Sequence, residues 1–167
     1  MDAGHDVTAL DVNPGYVRRS CQLGVDARLF DGLTIPLPDA SVDTVFMIEV
    51  LEHVVDPDRL LAEVSRVVRD NVVITVPNNT QRLSGHIAWS HMLDIDHKHF
   101  FTVETLNELL LARFESVEIR QIVAADFDIA KDLLSKWTFR MYRIARKLGL
   151  ERDKLHFRLI ANASKRR

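Results

Sequence analysis

An apolar run that ends in carboxylates and an imidazole constrains the fold of this chain more than any other stretch. Residues 42–54 read VDTVFMIEVLEHV. The run at 45–48 is short, continuous and bounded by polar residues, which is typical of a strand buried on both faces of a parallel sheet. Glu49, Glu52 and His53 follow it, at the strand end where open α/β sheets bind their ligands. The stretch therefore predicts the central strand of a doubly wound sheet, with a functional edge directly after it.

Strands and helices alternate along the rest of the chain. Asn13-Pro14 and Asp56-Pro57 each combine an N-cap residue with a proline suited to the first helical position. The predicted strands cover residues 5–12, 25–30, 42–48, 71–76, 117–123 and 155–163, and the predicted helices cover residues 14–23, 57–68, 103–112 and 129–148. This order predicts an α/β, Rossmann-like fold with a mostly parallel sheet and an antiparallel last strand.

The length of 167 residues predicts one domain. Its core is expected at 1–123, a helical lid or insertion at 124–154, and the last strand with a basic tail at 155–167. No apolar run is long enough for a membrane span. Cys21 is the only cysteine, which excludes an internal disulfide framework and favours a reducing, cytoplasmic setting.

Charge is distributed unevenly along the chain. Residues 1–130 carry 10 basic and 21 acidic side chains, whereas residues 131–167 carry 12 and 3. The basic helix predicted at 129–148 is compatible with weak contact with an anionic membrane surface. We favour a lid or packing helix whose basic face is solvated. Nucleic acid is not the favoured partner, and the oligomeric state is left open.

Two aspartates follow predicted strands and precede turns. Asp11 ends the first strand just before a helix, where an acid accepts hydrogen bonds from ribose hydroxyls in nucleotide-binding α/β folds. Asp31 follows the second strand and precedes Gly32, where a carboxylate can meet an adenine amino group. Taken alone, each residue is equally compatible with an ordinary turn.

The order of the motifs LDVN, FDG, IPLPDASVDTVFMIEVLEHV and NVVITVPN resembles class I S-adenosylmethionine-dependent methyltransferases. The resemblance is closest to the small-molecule type that includes ubiquinone-pathway and sugar O-methyltransferases, and it covers residues 4–114. It implies S-adenosylmethionine as the cofactor and methyl transfer to a small-molecule or glycan hydroxyl. The implied cofactor residues are Asp11 at the ribose, Val12 and Asn13 in the adenosine pocket, Asp31, Gly32 and Leu33 around the adenine, and Ile48 and Glu49 beside the methionine moiety.

The same resemblance implies a first strand and a glycine-rich loop ahead of Asp11. The sequence begins at Met1, in what reads as the last turn of the helix that would follow that loop, so we expect an N-terminally truncated fold. In the family this strand lies between the Asp11 strand and the strand at 42–48, so both would keep unpaired backbone. We expect a chain that starts at Met1 to bind the cofactor weakly or not at all. The competing class is a non-catalytic remnant or interaction module; a dehydrogenase is the third, and it does not explain EVLEHV.

Carboxylates and imidazoles at one edge can also bind a divalent metal ion. The pattern E-x-x-E-H, followed by D-H-x-x-F, resembles the metal-dependent small-RNA 3′-terminal 2′-O-methyltransferases. By that match Glu49, Glu52, His53 and His97 would hold magnesium. We favour the interpretation without a metal, in which the Glu-His pair structures a turn and a later histidine-rich loop closes over the substrate.

Methyl transfer to a hydroxyl needs a group that removes the proton. The candidates are His53, His97 and His99, since imidazole titrates near neutral pH. The sequence does not rank them. The acceptor would be selected by residues 80–101 and 124–155.

Overall fold

The computed structural model describes residues 4–79, 96–122 and 158–165, which contain six strands and three helices. The strands are β1 (Thr8–Asp11), β2 (Asp26–Leu29), β3 (Val42–Ile48), β4 (Val68–Pro77), β5 (Ser116–Ile122) and β6 (Arg158–Ser164), and the helices are α1 (Pro14–Gln22), α2 (Pro57–Val67) and α3 (Val103–Leu111). Each strand begins and ends within three residues of its predicted bounds. The helix predicted at 129–148 and most of the predicted loop at 80–101 lie outside the described residues.

The strands form two hydrogen-bonded sheets. β1 and β2 pair in parallel, and the second sheet has the order β3-β4-β6-β5. β3 is parallel to β4, whereas β6 is antiparallel to both of its neighbours. The structure confirms the α/β class, the mostly parallel strand directions and the antiparallel last strand. Within the described segments, no helix is long and apolar enough to cross a membrane.

One face of the four-stranded sheet carries the hydrophobic core. Ile74, in the middle of β4, is fully buried and pairs with Met47 of β3 and Ala161 of β6. The helical residues in the same cluster are Leu60, Leu61, Val64 and Val67 of α2 and Leu106 and Leu110 of α3. The side chains of Leu10 in β1 and of Phe30, directly after β2, pack against this cluster.

β3 is an edge strand of the four-stranded sheet, and only one of its faces is buried. Met47 belongs to the core, but Phe46 and Ile48 are 69% and 55% exposed. Among the described strands, β3 pairs with β4 alone. The prediction of a central strand buried on both faces is therefore wrong for the described fold. Such burial requires a partner on each edge and cover on each face, and α2 and α3 contribute to only one core.

The helix caps predicted from the sequence are present. Asn13 Oδ1 accepts a hydrogen bond from Gly15 N (2.8 Å), and Asp56 Oδ1 accepts one from Arg59 N (3.0 Å). Thr102 caps α3. These bonds satisfy N–H groups that the first turn of a helix leaves unpaired, so they fix where each helix begins.

α2 passes directly into β4. Val67 is the last helical residue and Val68 is the first residue of the strand. The predicted helix extended through Val68, whereas the structure places Val68 in the ladder, paired with Val42. Val68 is fully buried in the strand, and its apolar side chain would suit a buried helical position equally well, so hydrophobicity alone does not distinguish the two arrangements.

Arg66 of α2 fixes the segment between β2 and β3. Its guanidinium donates hydrogen bonds to the carbonyl oxygens of Ile35 and Leu37, each at 2.9 Å. It also donates to the carboxylates of Asp39 (2.6 Å) and Glu63 (2.8 Å). The Arg66 hydrogen bonds hold the pKa of the Glu63 carboxyl below its ordinary value.

Replacing Glu63 by glutamine is expected to lower the free energy of unfolding by about 1 kcal/mol at pH 7, because the ion pair with Arg66 is lost and one of the two acceptor oxygens becomes an amide nitrogen, which cannot accept. A lowered pKa in the folded state means that this contribution is complete above the unfolded-state pKa of Glu63. It is lost as the pH falls through the lower folded-state value. Urea unfolding at pH 7 and in acid measures the difference in the free energy of unfolding between the wild type and Glu63→Gln. This difference should decrease as the pH falls. A difference that does not change with pH would contradict the stabilising role of the Glu63 carboxylate.

Candidate functional site

Asp11 closes β1 and shapes the turn into α1. Its Oδ1 accepts a hydrogen bond from Asn13 N (2.7 Å), and its carbonyl oxygen accepts one from Phe30 N (3.2 Å). The turn bond uses one of the two carboxylate oxygens. The carboxylate therefore lies at the carboxyl end of a parallel strand and beside a helix N-terminus, as the sequence predicted.

Asp31 forms a similar turn after β2. Its Oδ1 accepts hydrogen bonds from Leu33 N (2.8 Å) and Thr34 N (2.6 Å). The bond from Thr34, followed by that from Leu33, lowers the pKa of the Asp31 carboxyl. Gly32 has φ +82°, a left-handed conformation that favours glycine, and a Cβ there would lie 3.3 Å from Val12 Cγ1. The two turns predicted to hold the adenosine therefore meet.

Glu49 follows β3 with φ +53°, a conformation that non-glycine residues seldom adopt. Its backbone N–H lies 3.0 Å from Thr75 O and 3.2 Å from Thr75 Oγ1, and the threonine hydroxyl donates to Glu49 Oε1 (2.9 Å). Arg158 Nε lies 3.6 Å from Glu49 Oε2. Such a conformation persists when surrounding contacts hold it, as is common at ligand sites. Glu49 is thus held in place beside the exposed Ile48.

Sequence reasoning missed two residues of this site, Thr75 and Arg158. Thr75 interrupts the apolar run NVVITV, and this hydroxyl inside a buried strand was a usable signal. Arg158 begins β6 and reaches the site because β6 runs antiparallel to β4. No local pattern around Arg158 predicts that placement.

Glu52, His53 and His97 form a cluster after the end of β3. One ligand atom from each side chain lies within 4.8 Å of the others. The rings of His53 and His97 meet edge to face, with centroids 4.7 Å apart and an interplanar angle of 61°. The structure therefore brings together three of the four residues of the magnesium hypothesis. Glu49 is not part of the group, because Thr75 and Arg158 hold its carboxylate elsewhere.

Backbone contacts hold the segment at 96–99 against this cluster. Lys98 N and His99 N donate to the carbonyl oxygen of Glu52, at 2.7 and 3.1 Å. His53 Nδ1 lies 3.2 Å from the carbonyl oxygen of Asp96. Two segments more than 40 residues apart in sequence are joined in this way.

The carboxyl group of Glu52 is buried. The residue is 1% exposed, and neither of its carboxyl oxygens accepts a hydrogen bond from any described group. Burial raises the pKa of Glu52, and the negative charge of Glu49 raises it further. The nearby backbone N–H of Glu52 itself and the imidazoles of His53 and His97 lower this pKa.

The three candidate bases occupy two environments. His53 and His97 share the cluster with Glu52. His99 lies beside Phe101, with ring centroids 6.3 Å apart, and its Nε2 is buried without a hydrogen-bond partner among the described residues. The geometry does not select one of them as a base.

Residues 1–76 match a family model described as a methyltransferase domain. The matched region runs from β1 through most of β4 and contains all eight residues predicted to contact the cofactor. No curated protein matches the sequence significantly.

Several solved structures share the fold. A chain of the complex between the Haloferax volcanii Trm112 methyltransferase activator and a methyltransferase has a TM-score of 0.69 and 20% identity, over 96% of this chain and 72% of that chain. A SAM-dependent methyltransferase from Archaeoglobus fulgidus has a TM-score of 0.64 and 22% identity, over 95% of this chain and 75% of that chain. Haemonchus contortus phosphoethanolamine N-methyltransferase 2 was solved in complex with phosphomonomethylethanolamine and S-adenosylhomocysteine. It has a TM-score of 0.68 and 16% identity, over 98% of this chain and 44% of that chain.

The match of residues 1–76 to a methyltransferase-domain model and the fold shared with these solved structures both agree with the resemblance to S-adenosylmethionine-dependent methyltransferases that the motifs indicate.

Proposed function

We propose that this chain transfers the methyl group of S-adenosylmethionine to a hydroxyl of a small molecule or glycan. The observation that supports the proposal most strongly is the placement of Asp11, Asp31 and Glu49 at or within two residues of the carboxyl ends of β1, β2 and β3. The near contact of Val12 with Gly32 supports it, because it joins the first two of these strand ends into one surface.

The side chains present fit the cofactor. Adenosine offers hydroxyl and amino donors and an apolar ring, and the two turns offer carboxylate oxygens beside the exposed side chain of Val12. The residues proposed to line it are Asp11, Val12, Asn13, Asp31, Gly32, Leu33, Ile48 and Glu49.

When bound, the cofactor supplies an electrophilic methyl group. On this proposal Asp11 accepts hydrogen bonds from the ribose hydroxyls, and Asp31 accepts one from the adenine amino group. Glu49, held by Thr75, places its carboxylate where it complements the ammonium group of the methionine moiety. His53, His97 or His99 removes the proton of the acceptor hydroxyl. The exposed free thiol of Cys21 supports the reducing, cytoplasmic setting that we propose.

Calorimetric titration with S-adenosylhomocysteine tests the cofactor, and transfer of a labelled methyl group to a panel of hydroxyl acceptors tests the reaction. We expect saturable binding of S-adenosylhomocysteine, labelled product from at least one acceptor, and no heat with NAD⁺. No binding at millimolar ligand and no labelled product would favour the non-catalytic interaction module.

A further inference from the structure

We infer that Glu52, His53 and His97 form a binding site for a divalent transition-metal ion of the zinc class. Their ligand atoms lie within 4.8 Å of one another. In a tetrahedral site with metal–ligand bonds of about 2.0–2.1 Å, neighbouring ligand atoms lie roughly 3.4 Å apart. Side-chain rotations that move these atoms by little more than about 1 Å therefore complete the geometry.

The buried carboxylate of Glu52 is the first observation in favour of an ion. It is almost wholly removed from solvent, and neither oxygen has a hydrogen-bond partner among the described groups. A buried carboxylate without a partner is unfavourable, and buried charges are normally paired or coordinate a metal. The two imidazoles beside it supply the remaining ligands that such an ion needs.

The orientation of His53 is the second, independent observation. Its Nδ1 lies 3.2 Å from the carbonyl oxygen of Asp96. A carbonyl oxygen only accepts hydrogen bonds, so Nδ1 carries the proton and Nε2 presents a lone pair. Metal-binding histidines are commonly oriented in this way, with the second ring nitrogen donating to a carbonyl or carboxylate.

The backbone pre-organises the third ligand. Lys98 N and His99 N donate to the carbonyl oxygen of Glu52, which fixes the segment that carries His97 next to the turn that carries the other two ligands. An ion at this point would join the two segments through side chains as well as through backbone bonds. Because the backbone contacts already fix the two segments, the entropic cost of ordering them on metal binding is small.

The ligand set determines the class of ion. Two imidazoles and one carboxylate suit zinc, cobalt or nickel, whereas magnesium and calcium prefer oxygen ligands. Three protein ligands leave a fourth position for water. Imidazoles that coordinate an ion are not available as general bases, so of the three candidates His99 would remain. The site does not depend on methyl transfer, and its test uses no cofactor.

Titration of the metal-free full chain with Co²⁺ tests this site, because cobalt in four- or five-coordinate nitrogen and oxygen sites absorbs visible light. We expect saturable absorption bands with a dissociation constant in the micromolar range or below, and loss of the bands on addition of Zn²⁺ but not of millimolar Mg²⁺. Glu52→Gln, His53→Gln and His97→Gln should each weaken binding at least about tenfold. Circular dichroism confirms that each variant is folded.

Asp43→Asn and His5→Gln are the matched controls, since they remove a carboxylate and an imidazole outside the cluster and outside the proposed cofactor site. Both should bind Co²⁺ with wild-type affinity. Absence of visible bands in the wild-type protein would overturn the assignment, and so would bands that persist unchanged in the three cluster variants. Equal loss in Asp43→Asn and Glu52→Gln would overturn the three-residue set.

Discussion

Replacement of Ile74 by alanine is expected to lower the free energy of unfolding by about 2 to 5 kcal/mol. Ile74 is fully buried and lies between Met47 and Ala161 in the two neighbouring strands. Truncation of the Ile74 side chain removes buried apolar contacts, so the folded state loses the free energy of transferring those atoms from water. It also leaves a cavity, which the hydrogen-bonded strands on either side cannot move to fill. Since a domain of this kind is stable by only about 5 to 15 kcal/mol, the loss is a large fraction of the total.

Urea unfolding followed by circular dichroism measures this change, with Phe46→Ala as the control. Phe46 is larger than isoleucine but is 69% exposed on the other face of β3. Its truncation should change the free energy of unfolding by no more than about 0.5 kcal/mol. Similar losses for Ile74→Ala and Phe46→Ala would show that the second face of the sheet is also buried in the protein in solution.

Replacement of Asp11 by alanine is expected to weaken the binding of S-adenosylhomocysteine by about 10- to 150-fold. This range corresponds to about 1.5 to 3 kcal/mol for hydrogen bonds to a charged group, at about 1.4 kcal/mol per tenfold change in affinity. Ligand-observed NMR measures the change in affinity.

Two further variants separate recognition of the ribose from shaping of the turn. Asp11→Asn keeps an oxygen that can accept the hydrogen bond from Asn13 N, so its stability should equal that of the wild type while its affinity falls. Asp43→Asn removes an exposed carboxylate that pairs with Arg69, away from the turns, and should leave the affinity unchanged. Wild-type affinity in Asp11→Ala would contradict the cofactor role of Asp11.

The elements of this fold were predictable because their signals are local. Asn13-Pro14 and Asp56-Pro57 mark helix starts through side-chain hydrogen bonds that span only two or three residues. Apolar runs of strand length mark β3 and β4 in the same way. The turns at Asp11 and Asp31 were also predictable, because each pairs an acidic residue with backbone N–H groups that follow within three residues.

The environment of each element depends on residues far away in sequence, and there the predictions were less complete. The apolar run of β3 predicted burial on both faces, yet burial needs neighbours that the run does not specify. Glu49 and Glu52 looked equivalent as ligands. The left-handed backbone at Glu49 turns its carboxylate toward Thr75 and Arg158, and this conformation is stabilised by residues 26 and more than 100 positions away. A local sequence pattern does not predict contacts between residues so far apart in the chain.

The junction between α2 and β4 limits how the length of this chain can vary. Val67 and Val68 are consecutive, so no loop separates α2 from β4. The direction in which each helical side chain points is therefore coupled to which face of the sheet each side chain of the strand occupies. One inserted residue would turn the helix by about 100° relative to the strand, or shift the strand by one position and exchange its two faces. Either outcome would remove Val72, Ile74 or the α2 leucines from their shared core. Insertions and deletions must therefore be accommodated elsewhere in the chain.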